Sequence, residues 1–175
     1  MRPTQTRKAE QLTPEEVRRR TFARAIKLLS AKPRSVAELR ERLLLGRSTD
    51  QAAVDEAISR LKEYGYLDDE RYAFGYASLQ VRQKPIGRNR LKRDLKFKKV
   101  EEQVAEEALN LVFGETPEDE LVDRAIEKHI RLRGRPENRV EAKKLFDHLL
   151  RQGFPFELVR EKVRTVSKPD LDDVE

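Results

Sequence analysis

Apolar residues recur along the chain at spacings of three and four, which place them on one face of a helix. Phe22, Ile26 and Leu29 form one such stripe, Tyr72, Tyr76 and Leu79 another, and Val122, Ile126 and Ile130 a third. Each is followed by a shorter segment with a Leu pair four apart: Leu39/Leu43, Leu91/Leu95 and Leu145/Leu149. Each group then closes on a further stripe: Val54/Ile58/Leu61, Val104/Ala108/Leu111 and Val159/Val163/Val166. The pattern predicts one long–short–medium helix triplet three times, over 21–67, 68–114 and 115–166. Polar punctuation agrees with it. Thr13-Pro14-Glu15-Glu16 combines an N-cap, a proline at the first helical position and a capping-box glutamate. Ser35 with Glu38 repeats the box, and Thr116-Pro117 repeats the cap with proline. Gly46, Gly65, Gly114, Gly134 and Gly153 stand where helices should stop.

One stripe is ordinary amphipathicity. Three triplets in the same order mark a repeat, because such modules bury their apolar faces by stacking on neighbours. The expected fold is therefore all-α, an elongated array of three tandem three-helix repeats. Residues 1–20 are expected to form a partly disordered extension running into the first helix, and 167–175 an acidic tail. The composition, with 37% hydrophobic and 40% charged residues, is lean in core and suits small modules better than one sphere.

The chain has no Cys, which removes disulfides, thiolate nucleophiles and Cys-based zinc sites. No apolar run approaches the roughly 20 residues that span a bilayer, and the N-terminus lacks a secretory apolar core. The expectation is a cytoplasmic protein without membrane contact. His129 and His148 are the two histidines, with no metal-ligand partner at helical spacing. The glycines are isolated, so no phosphate-cradling loop appears. Carboxylates fall beside Lys or Arg as ordinary i,i+4 pairs, such as Glu38/Arg42 and Glu127/Arg131. The reading assigns no catalytic residue, metal or cofactor.

Charge changes the picture further. The net value is +3 over 1–20, +3 over 21–67, +2 over 68–114 and −2 over 115–175, for a total of +6. Within 68–114 every cation but Arg71 lies in 82–99, and four acids follow at 101–107. Arg82, Lys84, Arg88, Arg90, Lys92, Arg93, Lys96, Lys98 and Lys99 thus crowd the loop and second helix of the middle repeat. On a helical wheel Arg88, Lys92, Lys96 and Lys99 run beside the buried Leu91/Leu95 edge, with Arg90 and Arg93 further round. Only Asp94 interrupts them, and like charges at i,i+4 repel. An anionic partner is expected to relieve that strain, with backbone phosphate the natural choice because such cations position without reading sequence. Phe97, nearly opposite the Leu pair, is expected to pack on a neighbouring module rather than stack on a base. A secondary basic group comprises Arg131, Arg133, Arg135, Arg139, Lys143 and Lys144, broken by Glu137 and Glu141 in a segment that Gly134 and Pro136 make a loop.

Three-helix modules also serve sequence-specific DNA-binding regulators, whose later helix enters the major groove. Here the third helix of the middle repeat, "VEEQVAEEALNLVF", holds four glutamates and no cation. DNA would repel it.

The junction of the first two repeats reads "LKEYGYLDDERYAFGYA". Gly65 suits the left-handed end of a helix, Leu67 tucks under the corner, and Asp68 caps the next helix while Asp69 complements its dipole. Together with "AIKLLSAKPRSVAELRERL" and "LLRQGFPFELVREKV", this corner resembles the RecX family of regulatory proteins of the bacterial RecA recombinase. The likeness covers about residues 20–166. It implies tandem three-helix repeats and a monomer that lodges in the groove of RecA–DNA filaments and touches DNA, single- or double-stranded, through phosphate contacts. It further implies dampened ATP hydrolysis, strand exchange and co-protease activity. Gly65, Leu67, Asp68, Asp69, Arg71 and Tyr72 carry the resemblance and are read as architectural. The family's usual glycine after the second helix of the middle repeat is replaced by Lys99. A left-handed non-Gly residue costs about 1–2 kcal/mol, so another turn geometry is expected there. A stand-alone non-specific nucleic-acid binder using the same cations is the alternative, and a helical scaffold with merely solvated charges a third.

Overall fold

A computed structural model of the chain describes residues 12–46 and 49–167. Most of the N-terminal extension and nearly all of the acidic tail lie outside the described residues. Nine helices and no strand occur among those described: α1 (Pro14–Ala31), α2 (Val36–Leu44), α3 (Gln51–Glu63), α4 (Asp69–Gln83), α5 (Arg88–Phe97), α6 (Glu102–Glu115), α7 (Glu118–Arg133), α8 (Arg139–Gln152) and α9 (Phe156–Val166). The chain is an all-α helical repeat fold, and it divides into two compact units, Met1–Asp68 and Asp69–Glu175.

The first unit is built on α1 to α3. Thr13 and Glu16 close the reciprocal capping box, with the Thr13 N–H donating to the Glu16 carboxylate at 2.9 Å. The Ser35 hydroxyl accepts from the Glu38 N–H at 3.1 Å and starts α2. Leu39, Leu43, Val54, Ile58 and Leu61 are buried as their spacing predicts, and Leu67 joins them. Each such side chain contributes about 2 kcal/mol by leaving water. The α1 stripe differs from expectation: Thr21 and Ala25 are the buried positions, and Ile26 is exposed. At the far end of α3, Gly65 takes φ +68°. Its N–H donates to the Lys62 carbonyl and that of Tyr66 to the Leu61 carbonyl, a Schellman motif.

In the second unit the middle and last triplets share a single core, running from Ala73 through Leu91, Leu95, Leu109 and Leu121 to Leu145, Leu149 and Val163. Two corrections concern its stripes. On α4 the buried face is Ala73, Ala77 and Val81, while Leu79 is exposed; on α6 it is Ala105, Ala108, Leu109 and Val112, while Leu111 is exposed. Small alanines let α4 and α6 approach closely, so contact rotates one position from the bulkier residues. Helix lengths differ too: α7, α8 and α9 have 16, 14 and 11 residues, which is not long–short–medium. Thr116 does not cap α7; its N–H closes α6 on the Val112 carbonyl, and Pro117 is the N-cap. Gly114 lies inside the last turn of α6.

Candidate nucleic-acid interface

Helix α5 carries the basic cluster, and both of its ends are unusual. It starts at Gly87 with no side-chain cap. Its first N–H groups instead find partners on the last triplet. Gly87 donates to the Gln152 carbonyl at 3.0 Å, Asn89 to the Gly153 carbonyl at 3.1 Å, and Arg88 to Glu118 Oε1 at 2.6 Å. Such proximity demands glycine on both sides. A Cβ at Gly87 would run into the Gly153 carbonyl and the Phe154 nitrogen, and one at Gly153 into the backbone of Arg90. Glu118 also sets a carboxylate at the positive end of α5, where Arg88 and Arg90 would otherwise oppose the helix dipole. Burial pushes its carboxyl above the usual range, against the opposing pull of the Arg88 N–H.

At the other end Lys99 has φ +59°, the one non-glycine residue with positive φ among those described. Its N–H donates to the Lys96 carbonyl and that of Val100 to the Leu95 carbonyl. This is the same Schellman geometry as at Gly65, so the expectation of a different turn at Lys99 is wrong. The lysine adopts the glycine conformation and bears its cost.

The charge on α5 is divided between two faces. Arg88 Nη2 donates to Glu106 Oε2 at 2.6 Å and to Asn110 Oδ1 at 2.7 Å. Lys92 Nζ lies 2.6 Å from Glu106 Oε1 and 2.9 Å from Glu102 Oε1. The two cations hold the Glu106 carboxyl below the usual range, Lys92 foremost, and Glu106 and Glu102 raise the Lys92 ammonium. Repulsion between the first two cations of this stripe is therefore answered inside the unit: the acidic α6 supplies the counterions for Arg88 and Lys92. Asp94 turns to the Tyr76 hydroxyl at 3.5 Å, and Lys98 Nζ lies 4.7 Å from the centre of the Tyr76 ring. Burial is the main reason the Tyr76 hydroxyl is harder to ionise. Arg90 reaches Gln152 Oε1 at 3.3 Å.

Arg82, Arg93, Lys96 and Lys99 are exposed, and Lys84 is half-buried. The side chains of Arg93 and Lys96 enter no ion pair or hydrogen bond among the described residues. Phe97 does not pack on the last triplet of its own unit: it is 85% exposed. The secondary group is open throughout, with Arg131, Arg133, Arg135, Arg139, Lys143 and Lys144 all exposed. The two acids that interrupt it serve the start of α8, where Glu141 accepts from the Glu137 N–H at 2.9 Å and donates its own N–H to Asn138 at 3.0 Å.

Of the corner residues, Gly65 and Leu67 make the turn and its buried staple, Asp68 and Asp69 stand at the start of α4, Arg71 is exposed, and Tyr72 stacks on Tyr76 with ring centres 6.4 Å apart. The histidines, separate in sequence, meet in space. The rings of His129 on α7 and His148 on α8 lie 5.8 Å apart. Burial lowers both, and for His148 the facing His129, Arg151, Arg133 and Lys128 lower it further. No group of three or more His, Asp or Glu that could hold a metal occurs among the described residues, nor any helix long and apolar enough to cross a membrane.

Comparison with known proteins places these elements. The model of the first three-helix domain of RecX matches residues 22–61, and that of the second three-helix domain of RecX matches 68–109. The regulatory protein RecX of Chlorobaculum tepidum is 33% identical over 143 residues, covering 81% of this chain and 85% of the relative. That of Bacillus velezensis is 28% identical over 161 residues, covering 90% of this chain but 59% of the relative, so this chain spans about three fifths of that protein's length. The crystal structure of RecX from Lactobacillus salivarius has the same fold, with a TM-score of 0.75 at 20% identity over 90% of this chain and 98% of that one.

Proposed function

The chain belongs to the RecX family of regulatory proteins, and from that premise we propose that it binds RecA–DNA filaments and restrains them. In this reading the protein occupies the filament groove in the cytoplasm as a monomer, and bridges recombinase subunits. The motions coupled to ATP turnover are hindered, and strand exchange and co-protease substrates lose access. It contributes no covalent chemistry of its own.

The observation that carries the DNA part of the reading is the division of charge on α5. Arg88 and Lys92 are engaged by Glu106 and Glu102, whereas the side chains of Arg93 and Lys96 are exposed and pair with no acid among the described residues; Lys99 is also exposed. We assign phosphate contact to Arg93, Lys96 and Lys99, with Arg90 beside them, and a supporting role to Arg82, Lys84 and Lys98. Arg88 and Lys92 hold α5 against α6. The open group at Arg131, Arg133, Arg135, Arg139, Lys143 and Lys144 offers a second anionic contact.

Co-sedimentation with preformed RecA–single-stranded-DNA filaments tests the proposal. The wild-type chain is expected to pellet with filaments, and Arg93→Ala/Lys96→Ala to pellet less as salt rises. Arg88→Ala/Lys92→Ala should retain filament binding under conditions where it stays folded. Failure of the wild type to co-sediment would overturn the reading.

A further inference from the structure

Phe97 is the last residue of α5 and the most exposed large apolar side chain among the described residues. A lone exposed apolar residue is normal on a protein surface, so exposure alone argues nothing. Its setting does. Arg90, Arg93 and Phe97 follow at spacings of three and four and so share one face of α5, away from the buried Leu91 and Leu95. Lys96 is exposed beside Phe97, and Lys99 is exposed two residues on. The aromatic pair Tyr72/Tyr76 does not shelter the ring; Tyr76 is occupied by Asp94 and Lys98. The chain also keeps a lysine at φ +59° where glycine would sit without strain. Strain retained at a turn is a mark of function when the residue that bears it supplies something glycine cannot. Here that something is a positive charge, exposed two residues beyond Phe97.

Resting on the phosphate contact proposed above, we infer that the C-terminal end of α5 is a single-strand-selective nucleic-acid site in which Phe97 stacks on an unpaired base. Arg93, Lys96 and Lys99 hold the phosphates on either side of that base. Stacking tolerates any base, because each presents a π face, but it requires a base freed from its pair. The cations would grip duplex or single strand alike. Phe97 makes the difference between the two.

Fluorescence anisotropy with a labelled oligothymidine and with a mixed-sequence duplex, each over a salt series, tests the inference on the full chain. Phe97→Ala is expected to weaken single-strand binding about tenfold, the order of one lost base stack, and to leave duplex binding within about twofold. Phe97→Tyr should restore it. The salt slope of Phe97→Ala should equal that of wild type, because stacking releases no counterions, whereas Arg93→Ala/Lys96→Ala should flatten it by about 1.4 on single strands. A Phe97→Ala protein that binds the oligothymidine as wild type does, with the slope intact, overturns the stacking inference and leaves the phosphate reading standing. A wild-type slope near zero overturns the phosphate reading itself. Normal nucleic-acid binding with lost filament co-sedimentation would place Phe97 on a protein partner and likewise overturn the stack. Since the side chain is exposed, the thermal unfolding of Phe97→Ala should match wild type and exclude misfolding.

Discussion

The meeting of Gly87 with Gly153 yields a prediction whose parts can be measured separately. Replacing Gly153 by Ala imposes two costs. Its backbone, at φ 93° and ψ 14°, is left-handed, which costs an L-residue about 1 kcal/mol. The new Cβ would also overlap Arg90 N and Cβ and lie 2.9 Å from Arg90 Cα. Backbone cannot swing aside as a side chain can. Relief requires α5 and α8 to separate, straining the Gly87 and Asn89 hydrogen bonds to Gln152 and Gly153; overpacking of this kind costs about 1–3 kcal/mol. The expected loss is about 2–4 kcal/mol. Gly87→Ala isolates the overlap, since its φ of −86° suits any residue, and should cost about 1–3 kcal/mol. Lys99→Gly isolates the dihedral and should stabilise by up to about 1 kcal/mol. Urea unfolding followed by circular dichroism gives the differences, and hydrogen exchange of the 88–97 peptide assigns them to α5. A neutral Gly87→Ala, or a Gly153→Ala cost no greater than the dihedral alone demands, would refute the close-approach argument.

Three further outcomes follow from the same geometry. Glu106→Gln should lower stability by about 1 kcal/mol after solvent screening, and should steepen the single-strand salt slope by up to about 1.4 as Arg88 and Lys92 are released; unchanged stability and slope would contradict their pairing with α6. Because the native Glu106 pKa is depressed, that stabilisation is complete above the ordinary glutamate pKa of about 4.3 and is lost as pH falls through the lower native value, which an acid titration of wild type against Glu106→Gln should show. The histidine pair works in the opposite sense to a partnered histidine. Its native pKa values lie below the ordinary value of about 6.5, so stability is full above that value and declines as pH falls below it, when the unfolded chain takes up protons the folded pair resists. His148→Gln should blunt the difference in urea midpoint between pH 7.5 and 5.5, and an undiminished difference would count against the pair. Thr13→Ala should cost about 1 kcal/mol through loss of the α1 cap, read as faster amide exchange in the first turn of α1.

The second and third helices of the repeats were largely legible because leucine and valine at four-residue spacing do bury: Leu39/Leu43, Leu91/Leu95, Leu145/Leu149 and Val159/Val163 all lie in core. Two of the first helices, and α6, were read one position out. Their contacts are made by Thr21, Ala25, Ala73, Ala77 and Ala105, small side chains that weigh little in an apolar pattern but allow helices to approach. The bulky Ile26, Leu79 and Leu111 consequently face outward. The pairing of Arg88 and Lys92 with α6 was not legible for a related reason. Rules of i,i+3 and i,i+4 inspect one helix, whereas Glu106 answers Arg88 from the next helix and Glu118 reaches the Arg88 N–H from the next triplet. Nor does any local rule pair Gly87 with Gly153. The signal that was available is modest: each of these glycines adjoins a helix with a buried leucine pair, a position where two helix ends can meet. Lys99 shows the converse, since the turn geometry there was dictated by repeat position and not by the residue occupying it.

Restraint of the recombinase is the activity proposed for this RecX-family chain. It is tested most directly by the steady-state ATP hydrolysis of RecA on single-stranded DNA, titrated with the full chain at constant salt. The rate should fall progressively with added protein, and fall less for Arg93→Ala/Lys96→Ala at the same concentrations. A rate unchanged at several-fold molar excess of the wild-type chain would contradict it.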